Sequence, residues 1–328
     1  MCKVLMIAGI DDAHRDNAIR FTKKMAELMT PGNDDGLGYA AVDAEGNLFS
    51  ERWLKNTEAF KTKGTPQLDI KVLKYFKPYA KYKNVEVEYS THGDVDLNKM
   101  VAITLHTRAA TGPVRQENVH PFITEDTSVI HNGVIVNDDD FKLTLSTCDS
   151  ESILVSYLKN GVGKNMKGID KLASELIGYY ACGTFSRDER GNRVMDVYKA
   201  NNDNLSVAFI DELNTWVMSS WGYNIVDACK QLGFKCGNYL DIKDGVLLRF
   251  DPVSGETIAS EEFKVSDRNK VVRSIYPTNH LVKEEPLPMH RPKGLSKEKI
   301  EYLKQPSDIR KLSYTEAFEY MEASGYWS

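Results

Sequence analysis

Cys2 is the first nucleophile in the chain, and its position offers a chemistry that an internal cysteine lacks. Removal of Met1 would make it the first residue, so that the thiol carried its own base. An α-amine with a reference pKa of about 7.7 to 8.0 can accept, directly or through water, the proton of a thiol near roughly 8.5. The plainer reading is a cysteine that happens to begin a strand. A second concentration of chemistry lies in LHTRAATGPVRQENVHPFI, residues 105–123, where His106, Arg108, Arg115, Gln116, Glu117, Asn118 and His120 stand among few apolar anchors. That composition is odd for a structural segment.

The chain has five cysteines, Cys2, Cys148, Cys182, Cys229 and Cys236, an odd number with no CxxC pair. This argues against a zinc ribbon and against a secreted disulfide framework, and no metal is expected. Cys182 lies in an apolar strand and Cys229 in a helix, so both read as packing residues. Cys148 adjoins Asp149 but has no base in view. Cys148, His131 and Asn132 could be drawn as a papain-like set, yet such partners normally come from distant segments.

After Cys2 come DDGLGYAAVDAEGN, HTRAATGP, NVHPF, HNGVIVN and STCDSE, in that order. The succession resembles the class II glutamine amidotransferases, the N-terminal-nucleophile glutaminase domains of glucosamine-6-phosphate synthase, amidophosphoribosyltransferase and asparagine synthetase. It runs from Cys2 to about Ser220.

The resemblance implies a role for each matching position. Cys2 would attack the side-chain amide of glutamine, giving a γ-glutamyl thioester and ammonia, with water then releasing glutamate. Arg108 matches the arginine that grips the substrate α-carboxylate, a planar fork facing two oxygens. Asp149 matches the carboxylate that pairs with the α-ammonium. Asn132 and Gly133 match the oxyanion hole, in which a side-chain amide and a backbone N–H converge on the tetrahedral oxygen. Thr111 matches a loop threonine lying against substrate. Asn118, His120 and His131 are expected to hold loops by hydrogen bonds rather than to react. Lys3 replaces the glycine that often follows the nucleophile, and Ala109 and Gly112 stand where the sugar-phosphate synthases have an aromatic residue and a histidine. The lid over glutamine is therefore expected to close differently, or to be completed by another protein.

The elements that must position these groups follow from periodicity. VLMIAG reads as a buried strand, and HRDNAIRFTKKMAELM places Ala18, Phe21, Met25 and Leu28 on one helical stripe that stops at Pro31-Gly32. LGYAAVDAEGNLFSERW is a hairpin around Glu45-Gly46-Asn47. AITLHTR and TSVIHNGVIV read as strands with polar ends. Helices are expected over residues 151–158 and 169–176, followed by the strands YYACGTFSR, VMDVYKA, LSVAFID and TWVMSS. Hairpin-linked strands with helices in separate blocks indicate an α+β layered sandwich, and the resemblance makes it a four-layer αββα arrangement. GVLLRFDPVSGETIASEEF, a strand, a turn and a strand, would finish it. The glutaminase domain is expected over residues 2–262. Residues 263–328 form a C-terminal extension, a proline-rich and charged linker in LVKEEPLPMHRPKG followed by helical segments SKEKIEYLKQ and SYTEAFEYMEASG, the latter opening with a Ser313 and Glu316 capping box.

Composition excludes other classes. A net charge of −5 with both signs interspersed leaves no broad basic field for nucleic acid. Residues 264–328 are slightly basic, with 12 Lys+Arg against 9 Asp+Glu, a balance that suits packing on the chain's own body or on a protein partner. No GxGxxG or Walker loop supports a nucleotide site, and no cofactor is expected. The N-terminus has neither a signal peptide nor a membrane span, so the expected home is the reducing cytosol. The well-known members of the family fuse the glutaminase to a synthase domain, and nothing after Ser220 is large enough to be one. The expected partner beside glutamine is thus a separate synthase that takes the ammonia. An N-terminal-nucleophile amidohydrolase acting on another γ-glutamyl amide is the alternative, and a non-catalytic assembly module with this fold is a third reading.

Overall fold

A computed structural model describes residues 2–33, 35–53, 80–82, 85–87, 99–110, 114–143, 145–201 and 204–266. The linker and the two helical segments expected beyond residue 267 lie outside the described residues, as does Thr111.

The chain starts with β1 (Lys3–Ala8), α1 (Arg15–Met29) and the hairpin β2 (Leu37–Asp43) and β3 (Leu48–Trp53). Two short paired strands follow, β4 (Ala80–Tyr82) and β5 (Val85–Val87), and then β6 (Met100–Thr107), β7 (Phe122–Ile123) and β8 (Ser128–Ile135). The helices α2 (Glu151–Lys159) and α3 (Gly168–Glu175) separate these from β9 (Gly178–Arg187), β10 (Arg193–Ala200), β11 (Ser206–Ile210) and β12 (Thr215–Ser219). The described elements end with α4 (Gly222–Leu232), β13 (Leu240–Asp241), β14 (Val246–Phe250) and β15 (Thr257–Glu262).

Two antiparallel sheets result, one ordered β13-β11-β12-β1-β6-β2-β3 and the other β15-β14-β10-β9-β8-β7. Side-chain alternation in a strand sends neighbours to opposite faces, and β1 uses both. Leu5 and Ile7 pack with Ala18, Phe21 and Met25 of α1 and with Ile225 and Ala228 of α4. Val4, Met6 and Ala8 point the other way, into a core shared with Ile130, Phe185, Met195 and Val197 of the second sheet. A third core joins the far face of that sheet, through Val129, Tyr180 and Tyr198, to Ile153, Leu154 and Tyr157 of α2 and Leu172 of α3. Three cores separate four layers, helices on sheet on sheet on helices. The fold is the α+β sandwich read from the sequence, and strands buried on both faces explain why β1, β6 and β9 are almost continuously apolar or small. Among the described residues, no helix is long and apolar enough to cross a membrane.

Candidate active site

The nucleophile is set by the middle of the first sheet. β1 runs antiparallel to β6 with Lys3 opposite Thr107, and β2 flanks β6 on its other side with Leu37 opposite the same Thr107. Cys2 therefore begins its strand where β6 ends, and the chain leaving β6 passes directly over it. The Cys2 thiol donates to the carbonyl of Ala109 at 3.7 Å. Arg108 is buried, and its backbone is tied on both sides: its N–H donates to Gly36 at 2.8 Å and its carbonyl accepts from the Asp35 N–H at 3.0 Å. The Asp35 carboxylate also accepts from the Ala110 N–H at 2.9 Å. Asp35 was given no role in the sequence reading, although it stands in the DDG that opens one of the quoted motifs.

The second sheet brings Asn132 and Gly133. They lie in β8, opposite Ala181 and Tyr180 of β9, and Asn132 is fully buried. Gly133 has φ +146°, and a Cβ there would fall 2.0 Å from the Tyr179 carbonyl and 2.6 Å from His131 Nε2. Only glycine fits, so the backbone at this point is unobstructed by any side chain of its own.

Asp149 stands just ahead of α2. One of its carboxylate oxygens accepts from the Ile135 N–H at 2.8 Å, which fixes it to the end of β8. The other lies 3.5 Å from the Cys148 thiol and from the Ser150 hydroxyl. Glu151, fully buried, accepts from the backbone N–H groups of Leu145 and Ser146 at 2.9 and 2.7 Å and from the Ser146 hydroxyl at 2.8 Å. It thereby folds the loop before α2 onto the helix. Asn118 completes the clamp, donating to the Thr147 hydroxyl at 3.0 Å and accepting from the Thr147 N–H at 3.0 Å. Glu151 ends the STCDSE motif, and its polar sequence neighbours give no sign that it turns inward.

Three histidines back these elements. His106, two residues before Arg108, stacks on His120 with ring centres 3.8 Å apart, and His120 lies 6.4 Å from His131. The His131 Nδ1 and the Ser150 hydroxyl share a hydrogen bond of 2.7 Å. Burial holds His106 down to about 3, with the neighbouring His131 and Arg108 adding to the effect. Burial likewise keeps His120 well below the usual imidazole range and lowers His131, the Asp149 charge partly opposing it there. All three rings are neutral at physiological pH.

The thiols respond to the same surroundings. Burial pushes Cys2 up, the Asp149 carboxylate pushes it further, and the Arg108 guanidinium pulls it back. That both charges act on Cys2 brings Cys2, Arg108 and Asp149 into one neighbourhood, although they come from the start of β1, the end of β6 and the start of α2. Cys148 is pushed up to about 12 by burial and then by Asp149, so it stays a thiol at neutral pH. Among the described residues no group of three or more His, Cys, Asp or Glu side chains is placed to hold a metal ion.

Known proteins share both the sequence and this layering. A glutamine–fructose-6-phosphate aminotransferase (isomerizing) of Helicobacter pylori is 30% identical over 158 residues, 44% of this chain and 26% of the relative. The protein of the same name from Aliivibrio fischeri is 33% identical over 96 residues, 26% of this chain and 15% of the relative. A solved structure of glutamine phosphoribosylpyrophosphate amidotransferase from B. subtilis, complexed with ADP and GMP, superposes with a TM-score of 0.50 at 18% identity, over 81% of this chain and 50% of that one. In part of its sequence and in its fold this chain is similar to class II glutamine amidotransferases. A structure described as the allosteric regulatory enzyme of purine biosynthesis gives a TM-score of 0.52 at 18% identity, again over 81% of this chain and 50% of that one. No protein-family model matches. This amidotransferase-like chain thus matches about a quarter or less of the curated relatives' length and half that of the solved structures. Of the residues singled out in its sequence, Cys2, Arg108 and Asp149 lie in one neighbourhood, with Asn132 and Gly133 on the strand that anchors Asp149, and Asn118, His120 and His131 behind them.

Proposed function

We propose that the chain is a glutaminase of the amidotransferase type, which hydrolyses the side-chain amide of glutamine to glutamate and ammonia. The observation that supports this reading best is a Cys2 thiol held to the Ala109 carbonyl and acted on by two opposite charges, the buried Arg108 guanidinium and the Asp149 carboxylate. A free amino acid has one group for each.

The raised thiol bears on the mechanism. A buried cysteine above its ordinary pKa is not a standing thiolate, so the reaction needs a base at the moment of attack. The α-amine of Cys2, freed by removal of Met1, would take the thiol proton while sulfur adds to the amide carbon. The tetrahedral oxygen would receive hydrogen bonds from the Asn132 side chain and the Gly133 N–H. Collapse of that adduct breaks the C–N bond, and the proton held by the amine passes to the departing nitrogen. Water then adds to the thioester, the same amine taking its proton; the C–S bond breaks, that proton returns to the Cys2 sulfur, and glutamate leaves. Asp149, with one oxygen bound by the Ile135 N–H, would turn the other, which meets the Cys148 thiol and the Ser150 hydroxyl at 3.5 Å, to the substrate ammonium. The ammonia acceptor is proposed to be a separate protein of the cytosol.

The test is the intact mass of the purified chain with and without a diazoketone analogue of glutamine, beside its glutaminase rate. Expected are loss of Met1, one adduct on Cys2, and a fall of roughly 10⁴-fold or more in rate for Cys2→Ala. Retained Met1 with no adduct would overturn the reading. Adduct formation at Cys2 without turnover of glutamine would favour another γ-glutamyl amide as substrate.

A further inference from the structure

The two halves of the site sit on different sheets. Arg108 follows β6 of the first sheet, and Asn132 and Gly133 belong to β8 of the second. If the two sheets slid by even a fraction of an ångström, the carboxylate grip and the oxyanion donors would move apart, and misplacement on the order of 1 Å costs about a hundredfold in rate. A hydrogen bond spans the gap at this point. His106 Nε2 lies 3.1 Å from the carbonyl oxygen of His131, the residue that immediately precedes Asn132.

We propose that His106 is a positioning residue for the amide-hydrolysis reaction, its Nε2–H holding the His131–Asn132 peptide of one sheet to the strand of the other that ends in Arg108. This deepens the glutaminase reading and rests on it. A carbonyl can only accept, so the bond requires the Nε2–H form of the ring. His106 Nδ1 is then the bare nitrogen, and it meets no hydrogen-bond partner among the described residues. The ring is packed as well as bonded. His120 lies flat against one face at 3.8 Å, with Phe122 edge-on behind it at 4.7 Å. Burial holds the ring's pKa down to about 3, and the Arg108 guanidinium just beyond its own strand adds to the effect. The imidazole stays neutral, and as a neutral donor it orients a peptide plane without competing for the substrate carboxylate.

The downstream geometry makes that plane matter. The residue after it, Asn132, is fully buried, and the next, Gly133, has a backbone conformation that no Cβ would allow. With no side chain of its own at Gly133 to lock the turn, the aim of its N–H depends on the peptide groups on either side. His131 is held at its ring by Ser150 and at its carbonyl by His106, so this stretch of β8 is gripped from both layers that face it.

The test compares two amide variants in the full chain. In His106→Gln the amide nitrogen can reach the place of Nε2, whereas in His106→Asn it falls at the place of Nδ1. Expected is a kcat for glutamine within about 3-fold of the parent for His106→Gln and a drop of about 10- to 100-fold for His106→Asn, with KM moved less than kcat in both. Equal activities for the two variants, or a change confined to KM, would overturn the proposal while leaving the glutaminase reading intact. Parent protein that neither turns over glutamine nor takes the diazoketone label would overturn both. A nitrogen-15 spectrum of histidine-labelled parent protein provides a check that does not depend on any variant folding: the Nε2–H tautomer at His106 is expected, and an Nδ1–H tautomer or an imidazolium would sink the idea.

Discussion

Two buried polar clusters lie on opposite faces of the second sheet, and they are built by opposite rules. On the outer face Asp196 receives the Arg249 guanidinium through two bonds of 2.7 Å each, and Tyr157 donates to the same carboxylate at 2.6 Å. Arg249 also donates to the Val162 carbonyl at 2.9 Å, and the Tyr157 hydroxyl meets that of Ser186 at 2.9 Å. On the inner face His106 makes one bond, and neither ring nitrogen of His120 meets a hydrogen-bond partner among the described residues. Stacking substitutes for hydrogen bonding there. A saturated cluster joins α2 to the sheet and specifies the packing; an undersaturated one, beside Cys2 and Arg108, sits where the fold's rules are relaxed. The contrast separates what holds the sandwich from what the candidate site demands of it.

The largest effect is expected on the outer cluster. Asp196→Asn leaves the Arg249 charge in place without its ionic partner, and should cost about 3 to 5 kcal/mol in denaturant unfolding while leaving the rate of Cys2 labelling by the diazoketone unchanged in the folded fraction. A cost below about 1 kcal/mol would show that the pair is not the brace described. The next concerns the inner face. Gly133→Ala places a methyl group against the Tyr179 carbonyl, and kcat for glutamine should fall by about 10²- to 10³-fold, the scale of a lost oxyanion donor. Unchanged kcat would remove Gly133 from the site.

The smallest effect per group comes from pH. The buried histidines His106, His120 and His131 have folded pKa values below the unfolded value of roughly 6.5, so the unfolded chain takes up protons first as pH falls. Stability is thus full above about pH 6.5 and declines below it by up to about 1.4 kcal/mol per pH unit for each ring that stays neutral, for His106 until pH reaches its folded value of about 3. Denaturant midpoints at pH 7, 6 and 5 would measure the slope, and His106→Gln should reduce it. The same slope in that variant would mean that His106 is not buried neutral.

The strands and helices were legible because burial writes a period into the chain. The stripe Ala18, Phe21, Met25 of α1 and the hairpin around Gly46 needed no knowledge of the tertiary fold. The expectation that Cys2, Arg108, Asn132, Gly133 and Asp149 belong to one site came instead from motif order and resemblance, since local spacing does not relate position 2 to position 149. Neither period nor motif revealed the saturated cluster. Asp196 sits in VMDVYKA like any polar residue of a half-exposed strand, and its partner Arg249 is 53 positions away in an apolar run. A sequence shows that a strand alternates; it does not show that a helix layer covers the polar face too. Asp35 and the cross-sheet bond of His106 were hidden for the same reason, their partners being chosen by topology.

The central place of β1 in its sheet has a consequence for synthesis. Its far flank is β12, and the Val4 N–H donates to the Ser220 hydroxyl 216 positions further along. At ordinary rates of translation that interval lasts on the order of 10 to 40 seconds. For that time the strand bearing Cys2 lacks one of its two neighbours and its end lies open, so any trimming of the residue ahead of the nucleophile has its opportunity on the ribosome, before the sandwich closes over it.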